Sequence, residues 1–303
     1  MKKNLSPIAF FVYNRPEHTK KTLTFLKKNK LAKKSLIYIF SDEAKDEQSK
    51  KKVLEVRKII KNITGFKNKK IIIRKKNFGL SKNFISGITQ VCNKYGKIIV
   101  LEDDNLTSPF FLNYMNDALN IYSAKKNVAS ISGYSYPINN NKKGYYFLRL
   151  ADSWGWATWK RSWDLYEKDG EKILKNLATK KIRSEYNFKN TFDFFRILEN
   201  FCLKKNNSWS IRWYGSMFLK KKLTLFPPKS FIENIGMDNS GIHSINTNNY
   251  KSKLIKSYKK PKMIIVKESK YHFEEMKKFF KKTEPKKNLI LKIKNYLFKK
   301  YEL

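Results

Sequence analysis

The stretch that decides the fold is KIIVLEDD, residues 97–104, in which a short apolar run leads directly into three consecutive carboxylates. Similar runs recur through the first half of the chain, and each is nearly continuous in apolar residues. Continuous runs are typical of strands that are buried on both faces, as in a parallel sheet. The runs lie at 8–13, 36–40, 70–73, 98–101 and 128–132.

Apolar residues between these runs recur at the spacing of one helix face. We expect Ser108 to cap the last of the resulting helices and Pro109 to occupy its first turn. Strands that alternate with helices predict an α/β, Rossmann-like fold with a mostly parallel central sheet, helices on both faces and a ligand crevice at the carboxyl ends of the strands. The spaced residues are Val53, Val56, Ile60 and Ile63; Phe84, Ile88, Val91 and Tyr95; and Leu112, Met115, Leu119 and Tyr122.

The sequence changes character twice along the chain. Past Gly133 it becomes aromatic and irregular, with Trp154, Trp156, Trp159 and Trp163 close together, and most of this tryptophan group is predicted to be core. From about residue 250 lysine dominates. We therefore expect one half of a domain at 1–135, a second half of the same domain at 136–250, and a basic, helical C-terminal appendage at 251–303.

The composition excludes a disordered polycation. The 303 residues carry 66 Lys+Arg against 25 Asp+Glu, a formal charge of +41, but 41% of them are hydrophobic, which is enough for a sizeable core. Such a charge would attract polyanions, although the abundance of Lys, Asn and Ile also fits AT-rich coding. The two cysteines, Cys92 and Cys202, cannot build a disulfide framework or a cysteine metal cluster.

The three carboxylates Glu102, Asp103 and Asp104 are expected to need a cation. Grouped at the end of a buried strand, they repel one another and lose hydration, so a positive group must face them. Carboxylate oxygens suit Mg²⁺ or Mn²⁺, which take few protein ligands and leave positions for phosphate oxygens and water. The alternative is an acidic turn near the positive end of the following helix.

Several blocks of the sequence resemble GT-A glycosyltransferases, especially the N-acetylglucosaminyltransferase I type and bacterial family 2-like sugar transferases. Together the blocks cover about residues 5–245. Beyond the acidic triplet they are YNRP at 13–16, FSD at 40–42, SPFF at 108–111, SWGWATW at 153–159, SWSIRW at 208–213 and NIGMDNSGIH at 234–243. The resemblance implies a nucleotide-sugar-binding half at 1–135 and an acceptor-binding half at 136–250.

The resemblance also implies roles for single residues. Arg15 would meet the donor phosphates, Asp42 would bind the nucleobase, and Asp104 would ligate the metal. Asp103 and Glu102 would bind ribose and donor-sugar hydroxyls.

Weaker assignments complete the predicted donor site. Trp154 and Gly155 would lie beside the donor sugar, and Lys82 could contact the donor. His243 could bind phosphate or metal.

One departure from the family concerns the general base. Inverting transfer needs a carboxylate to take the proton of the attacking hydroxyl. Related sequences carry an Asp in the block at 209–213, whereas this chain has none there. The candidates are Asp193, Asp152 and Asp238. A helix N-cap is the competing role for Asp193, and a plain surface loop is the alternative for Asp238.

The predicted function is a metal-dependent, inverting hexosyltransferase that uses Mn²⁺ or Mg²⁺. It would move a sugar from a nucleotide donor, a UDP-sugar, to a glycan or lipid-linked glycan in bacterial surface polysaccharide or lipooligosaccharide assembly. One rival is a nucleic-acid-binding protein, but lysine is spread over the whole chain and no such module is apparent, so no nucleic-acid partner is expected. Another rival is a non-catalytic glycan-binding relative.

The location is predicted to be cytoplasmic and peripheral at the inner face of the cytoplasmic membrane. The apolar run at 8–13 is too short for a signal peptide, and no run approaches the roughly 20 residues of a membrane span. Apolar residues between 289 and 297 follow one helix face among lysines, which predicts a helix lying on an anionic membrane surface. Packing of that helix on the protein's own core is the alternative.

Overall fold

The computed structural model describes residues 5–141, 144–238 and 247–283. In the first half the elements are β1 (Ile8–Val12), α1 (Pro16–Lys27), β2 (Leu36–Ser41), α2 (Glu47–Lys61), β3 (Asn68–Ile73), α3 (Gly79–Tyr95), β4 (Lys97–Glu102), β5 (Asn105–Thr107), α4 (Phe111–Ile121) and β6 (Val128–Ser132). The second half contains β7 (Tyr146–Leu148), β8 (Trp156–Trp159), α5 (Lys160–Trp163), α6 (Gly170–Asn176), α7 (Lys180–Tyr186), α8 (Phe194–Cys202), α9 (Trp209–Leu219), β9 (Leu223–Phe226), β10 (Ile232–Asn234) and α10 (Lys270–Thr283).

One eight-stranded sheet, in the order β3-β2-β1-β4-β8-β6-β9-β7, organises the molecule. Strands β1 to β4 are mutually parallel, β6 and β9 run in the same direction, and β8 and β7 run oppositely. The predicted α/β fold with a mostly parallel sheet is confirmed. The five predicted strands appear as β1, β2, β3, β4 and β6. Strands β1, β2, β4 and β6 are largely buried, as expected, whereas β3 has the sequence NKKIII, lies at the edge of the sheet and is only partly buried.

A second, two-stranded sheet pairs β5 with β10 in antiparallel register, with Asn105 opposite Asn234. Because β5 directly follows β4, this pairing places β10 of the second half next to the end of β4. Residues that are distant in the sequence therefore meet the acidic triplet.

The start of α4 differs from the prediction. Ser108 and Pro109 lie in a turn, and the helix begins at Phe111. The Ser108 hydroxyl donates to the Ile255 carbonyl at 2.8 Å and accepts from Phe110 N at 3.3 Å, so it stabilises the turn and a distant segment instead of the helix end.

The tryptophan-rich stretch is mostly core, as predicted. Trp156, Trp159 and Trp163 are buried, and Trp156 packs with Trp209 and Trp213 of α9 on the face of the sheet that α3 covers. Trp154 is the exception, because it lines a cleft described below.

Residues 251–283, the described part of the predicted basic appendage, pack against the rest of the domain. Met276 and Phe280 of α10 are buried in a core cluster with α6, α8 and α9, and Ile255 N donates to the Ser230 carbonyl at 2.9 Å. The predicted tail helix at 289–297 lies outside the described residues. Within the described part of the chain, no helix is long and apolar enough to cross a bilayer.

Candidate functional site

A cleft of about 410 Å³ opens at the carboxyl ends of β1, β2 and β4, where the strand order predicts a ligand site. We call it the main cleft. Its walls include Tyr13 and Arg15 after β1, Asp42 after β2, and the acidic triplet that ends β4. The residues that the sequence places at these strand ends therefore line one cleft.

The Arg15 guanidinium is the cation that faces the triplet. Its Nη2 donates to a carboxylate oxygen of Asp103 and, at 2.9 Å, to Oδ2 of Asp104. Burial lowers the pKa of Arg15, but the two carboxylates more than offset that effect and raise it above its ordinary value. Thr22 of α1 donates its hydroxyl to the Asp103 carbonyl at 2.6 Å, so the helix that follows Arg15 is tied to the same turn.

The charge of Arg15 only partly balances the negative charge of the three carboxylates. Burial raises the pKa of Asp103 to about 6, against the opposing effect of Arg15. Burial also raises the pKa of Glu102 well above its usual range, and the charge of Asp104 adds to the effect. Among the described residues, the Arg15 guanidinium thus does not fully balance the charge of these acids.

Asp104 is fixed by amides as well as by Arg15. Its Oδ1 accepts from Asn105 Nδ2 at 2.7 Å and from Asn234 Nδ2 at 3.3 Å. Gly236 N in turn donates to Asn234 Oδ1 at 2.8 Å, and a Cβ at Gly236 would lie 2.2 Å from Asp104 Oδ2. Sequence reasoning assigned no role to Asn234 or Gly236, although both lie in the quoted block at 234–243.

The chemistry of the donor set limits how a metal could bind. Among the described residues, no three His, Cys, Asp or Glu side chains are placed to hold an ion together. A hard divalent cation needs few protein ligands when a diphosphate supplies the others, so Asp104 fits as the single anchoring carboxylate. His243, the weaker predicted ligand, lies outside the described residues.

Asp42 is held in one orientation at the end of β2. Its Oδ1 accepts from Glu43 N and from Phe78 N, both at 2.9 Å, and the side chain is buried. Tyr13 also lines this end of the cleft, and its hydroxyl accepts from Lys45 N at 3.0 Å and donates to Ser49 Oγ at 3.2 Å. Tyr13 was not among the predicted site residues, although it opens the quoted block at 13–16.

Of the remaining predicted donor contacts, Trp154 alone lines the main cleft. Gly155 does not line the cleft. Its φ of +58° favours glycine, and a Cβ at this position would clash with the Ile232 side chain. Lys82 is not part of the lining, and its Nζ lies 4.9 Å from the centre of the Phe78 ring.

A second cleft of about 340 Å³ adjoins the first and shares Trp154 and Met237 with it. We call it the side cleft. Its walls combine aromatic rings with the hydroxyls of Ser208 and Ser210 and the carboxylate of Asp152. Rings and hydroxyls of this kind suit the apolar and polar faces of a sugar.

Asp152 is buried, with 6% of its surface exposed. Ser132 Oγ donates to its Oδ2 at 2.6 Å, and Ser153 N donates to its Oδ1 at 2.9 Å. Burial raises the pKa of Asp152 to about 6, although these hydrogen bonds act in the opposite direction. The residue is therefore ionised at neutral pH and more basic than an ordinary aspartate.

The other two base candidates lie elsewhere. Asp193 is the N-cap of α8, where its Oδ1 accepts from Arg196 N and Asn187 Nδ2, each at 3.2 Å. Asp238 lies in a surface depression, with its Oδ2 3.1 Å from His18 Nε2. Of the three candidates, Asp152 lines the side cleft, which adjoins the main cleft at Trp154 and Met237.

No protein-family profile and no curated protein sequence matches the chain. Among solved structures it is similar to the mannosyltransferase PcManGT from Pyrobaculum calidifontis in complex with GDP-Man and Mn²⁺, at 8% identity over 71% of this chain and 68% of that chain, with a TM-score of 0.40. It is also similar to S. aureus TarS, at 12% identity over 52% of this chain and 28% of that one, with a TM-score of 0.36. UDP-glucose pyrophosphorylase complexed with UDP-glucose aligns at 12% identity over 74% and 90% of the two chains, with a TM-score of 0.36. At these TM-scores no function or residue role is carried over from these proteins.

Proposed function

We propose that the protein is an inverting glycosyltransferase that transfers a sugar from a UDP-sugar to a glycan acceptor. The observation that carries the proposal is the main cleft, in which Asp42, Arg15 and the acidic triplet converge at the carboxyl ends of parallel strands. The resemblance of the sequence blocks supports a lipid-linked or surface-polysaccharide glycan as the acceptor.

The nucleoside would bind at the Tyr13 and Asp42 end of the main cleft. A uracil ring stacked on Tyr13 would direct its imide N–H toward the Asp42 carboxylate, which accepts hydrogen bonds. Because Glu43 N and Phe78 N already hold Oδ1 of Asp42, the carboxylate does not have to be ordered when the base binds.

The diphosphate would bind between Arg15 and Asp104. A guanidinium forms paired hydrogen bonds with phosphate oxygens, so the donor would compete with Asp103 and Asp104 for Arg15. Asp104 would hold Mn²⁺ or Mg²⁺, and that ion would supply positive charge to neutralise the departing diphosphate. Glu102 and Asp103 would accept hydrogen bonds from donor hydroxyls.

The acceptor would enter the side cleft, with Asp152 as the general base. The attacking hydroxyl must lose its proton as it bonds to the anomeric carbon, and the proton passes to Asp152 while the bond to the diphosphate oxygen breaks. A pKa near 6 suits this step, since Asp152 is ionised at neutral pH and still accepts a proton better than an exposed aspartate. Trp154, which is common to both clefts, would separate donor from acceptor.

The test is a thermal-shift screen of sugar nucleotides with and without Mn²⁺. A ligand at 100 times its Kd stabilises by about 2.7 kcal/mol. We expect UDP-sugars to raise the Tm of the wild type only with the metal present, and Asp104→Asn to abolish the metal-dependent part. Asp164→Asn, which changes a carboxylate paired with Lys160 at 2.7 Å on the surface, is the matched control.

Two outcomes would count against the proposal. If no sugar nucleotide stabilises the protein, the donor site is refuted. If UDP binds equally well with and without metal in both the wild type and Asp104→Asn, the metal assignment fails. Binding without turnover on any acceptor would instead favour a non-catalytic glycan-binding role.

A further inference from the structure

The segment 259–267 exposes two large apolar side chains close together. Ile264 and Val266 are partly buried against the core cluster that contains β1 and α4. Met263 and Ile265 point the other way and are 54% and 85% exposed. Alternation of this kind is the pattern of an extended chain with one face packed and one face outward.

The exposure does not come from a loosely attached chain. Tyr258 donates its hydroxyl to Asp117 of α4 at 2.7 Å, and Ile264 N donates to the Tyr122 hydroxyl at 3.1 Å. Lys267 N donates to the Ile265 carbonyl at 3.0 Å. The two outward apolar residues are therefore held in place by the bonds on either side of them.

Lysines surround these two residues. Residues 256–267 contain five lysines and no acidic residue, and Lys259, Lys260, Lys262 and Lys267 are exposed. Asp117 partly offsets Lys260, with 3.7 Å between their charged atoms. Single exposed apolar residues are normal on protein surfaces, so the informative feature is their combination with a local excess of positive charge.

We propose that the segment 259–267 docks the protein on an anionic lipid bilayer. Met263 and Ile265 enter the boundary between headgroups and acyl chains, while the lysines pair with lipid phosphates. A protein partner would need a complementary surface of about 800 Å², whereas a bilayer accepts single apolar side chains flanked by ammonium groups. This contact differs from the predicted tail helix and needs none of the residues beyond 283.

Docking through this segment leaves the main cleft open. Tyr258 stacks on Phe110, which precedes α4 near the carboxyl ends of the strands, and Ile264 bonds to Tyr122 beyond the other end of α4. The chain from 259 to 264 therefore follows α4 away from the cleft. Met263 and Ile265, on either side of Ile264, therefore lie toward the amino ends of the parallel strands, away from the donor site.

The experiment is co-sedimentation of the full chain with vesicles made of equal parts phosphatidylcholine and phosphatidylglycerol. The double variant Met263→Ser, Ile265→Ser should partition about tenfold more weakly than the wild type. The matched control is Leu54→Ser, Leu203→Ser, which removes apolar side chains that are 57% and 58% exposed elsewhere on the surface and should partition like the wild type. Binding should weaken with salt and should be weak on pure phosphatidylcholine.

Several outcomes would overturn the proposal. The double variant could bind like the wild type, which would mean that the attraction is spread over the whole basic surface. Loss of binding on removal of residues 286–303, with the double variant unaffected, would move the contact to the tail. If the double variant also bound polyglutamate about tenfold more weakly than the wild type, the segment would be a site for an acidic polypeptide. Because the nucleotide-dependent thermal shift should be the same in both double variants, failure here is distinguishable from failure of the proposed function.

Discussion

Replacing Asp152 with Asn removes a buried charge and changes little else. Asn Oδ1 can accept from Ser153 N as the carboxylate does. The new Nδ2 can donate to Ser132 Oγ, whose own hydrogen can turn to the Tyr134 carbonyl 3.1 Å away. Asp152→Asn therefore separates the electrostatic cost of the carboxylate from its role as an acceptor of hydrogen bonds.

The magnitude follows from the pKa of Asp152. Burial raises this pKa from 3.8 to about 6, a shift of about 2 pH units, and each unit corresponds to about 1.36 kcal/mol. Because the pKa is raised on folding, the stabilising contribution of Asp152 is complete below pH 3.8 and is lost as the pH rises through about 6. Asn has no such dependence. The stability of Asp152→Asn relative to the wild type should therefore rise by about 3 kcal/mol from acid to neutral pH.

Urea unfolding at a series of pH values measures this difference, and transfer assays at the same pH values measure the chemistry. We expect the variant to be the more stable protein at neutral pH and to lose about 10²- to 10⁴-fold in turnover, with donor affinity nearly unchanged. In the wild type, turnover should fall as the pH drops through about 6. A stability difference that does not vary with pH would refute the burial argument, and normal turnover would remove Asp152 as the base.

Two further substitutions test neighbouring parts of the site. Gly236→Ala places a Cβ 2.2 Å from Asp104 Oδ2 and 3.1 Å from Arg15 Nη1, so one of these side chains must move. We expect calorimetry to show about tenfold weaker UDP binding, and unchanged affinity would mean that the Asp104–Arg15 arrangement does not matter for the diphosphate. Asp193→Ala removes the N-cap of α8 and should cost about 1 kcal/mol in unfolding experiments, with turnover within about twofold of the wild type. A hundredfold loss of turnover would instead make Asp193 the base.

The strands and their ends could be predicted because the information is local. Each predicted strand is a run of apolar residues, and in a parallel sheet the residue that follows a strand lies at the crevice. This reasoning places Arg15, Asp42 and the acidic triplet at the crevice. The same reasoning could not place β8, because a four-residue strand in an aromatic-rich stretch carries no periodic signal.

The rest of the site depends on pairings between distant parts of the chain. Asn234 reaches Asp104 only because β10 pairs with β5, and no local pattern specifies that partner. Likewise, sequence reasoning ranks Asp193 first among the candidate bases, then Asp152 and then Asp238. They differ in their surroundings, since Asp193 caps a helix, Asp238 faces His18 and Asp152 lies in the side cleft.

The distribution of charge gives the strongest reason to regard the main cleft as a functional site. The chain has 66 basic residues against 25 acidic ones, so selection for stability alone could have placed basic side chains beside every acidic group. Instead, Glu102, Asp103 and Asp104 are consecutive, Asp103 and Asp104 share the guanidinium of Arg15, and the pKa values of Glu102 and Asp103 are raised as a result of burial. Such an arrangement lowers the stability of the free protein, which is the usual mark of a site arranged for a ligand. A donor that brings both a divalent cation for Asp104 and phosphate oxygens for Arg15 would balance both charges together, and the metal complex of a nucleotide diphosphate sugar supplies both.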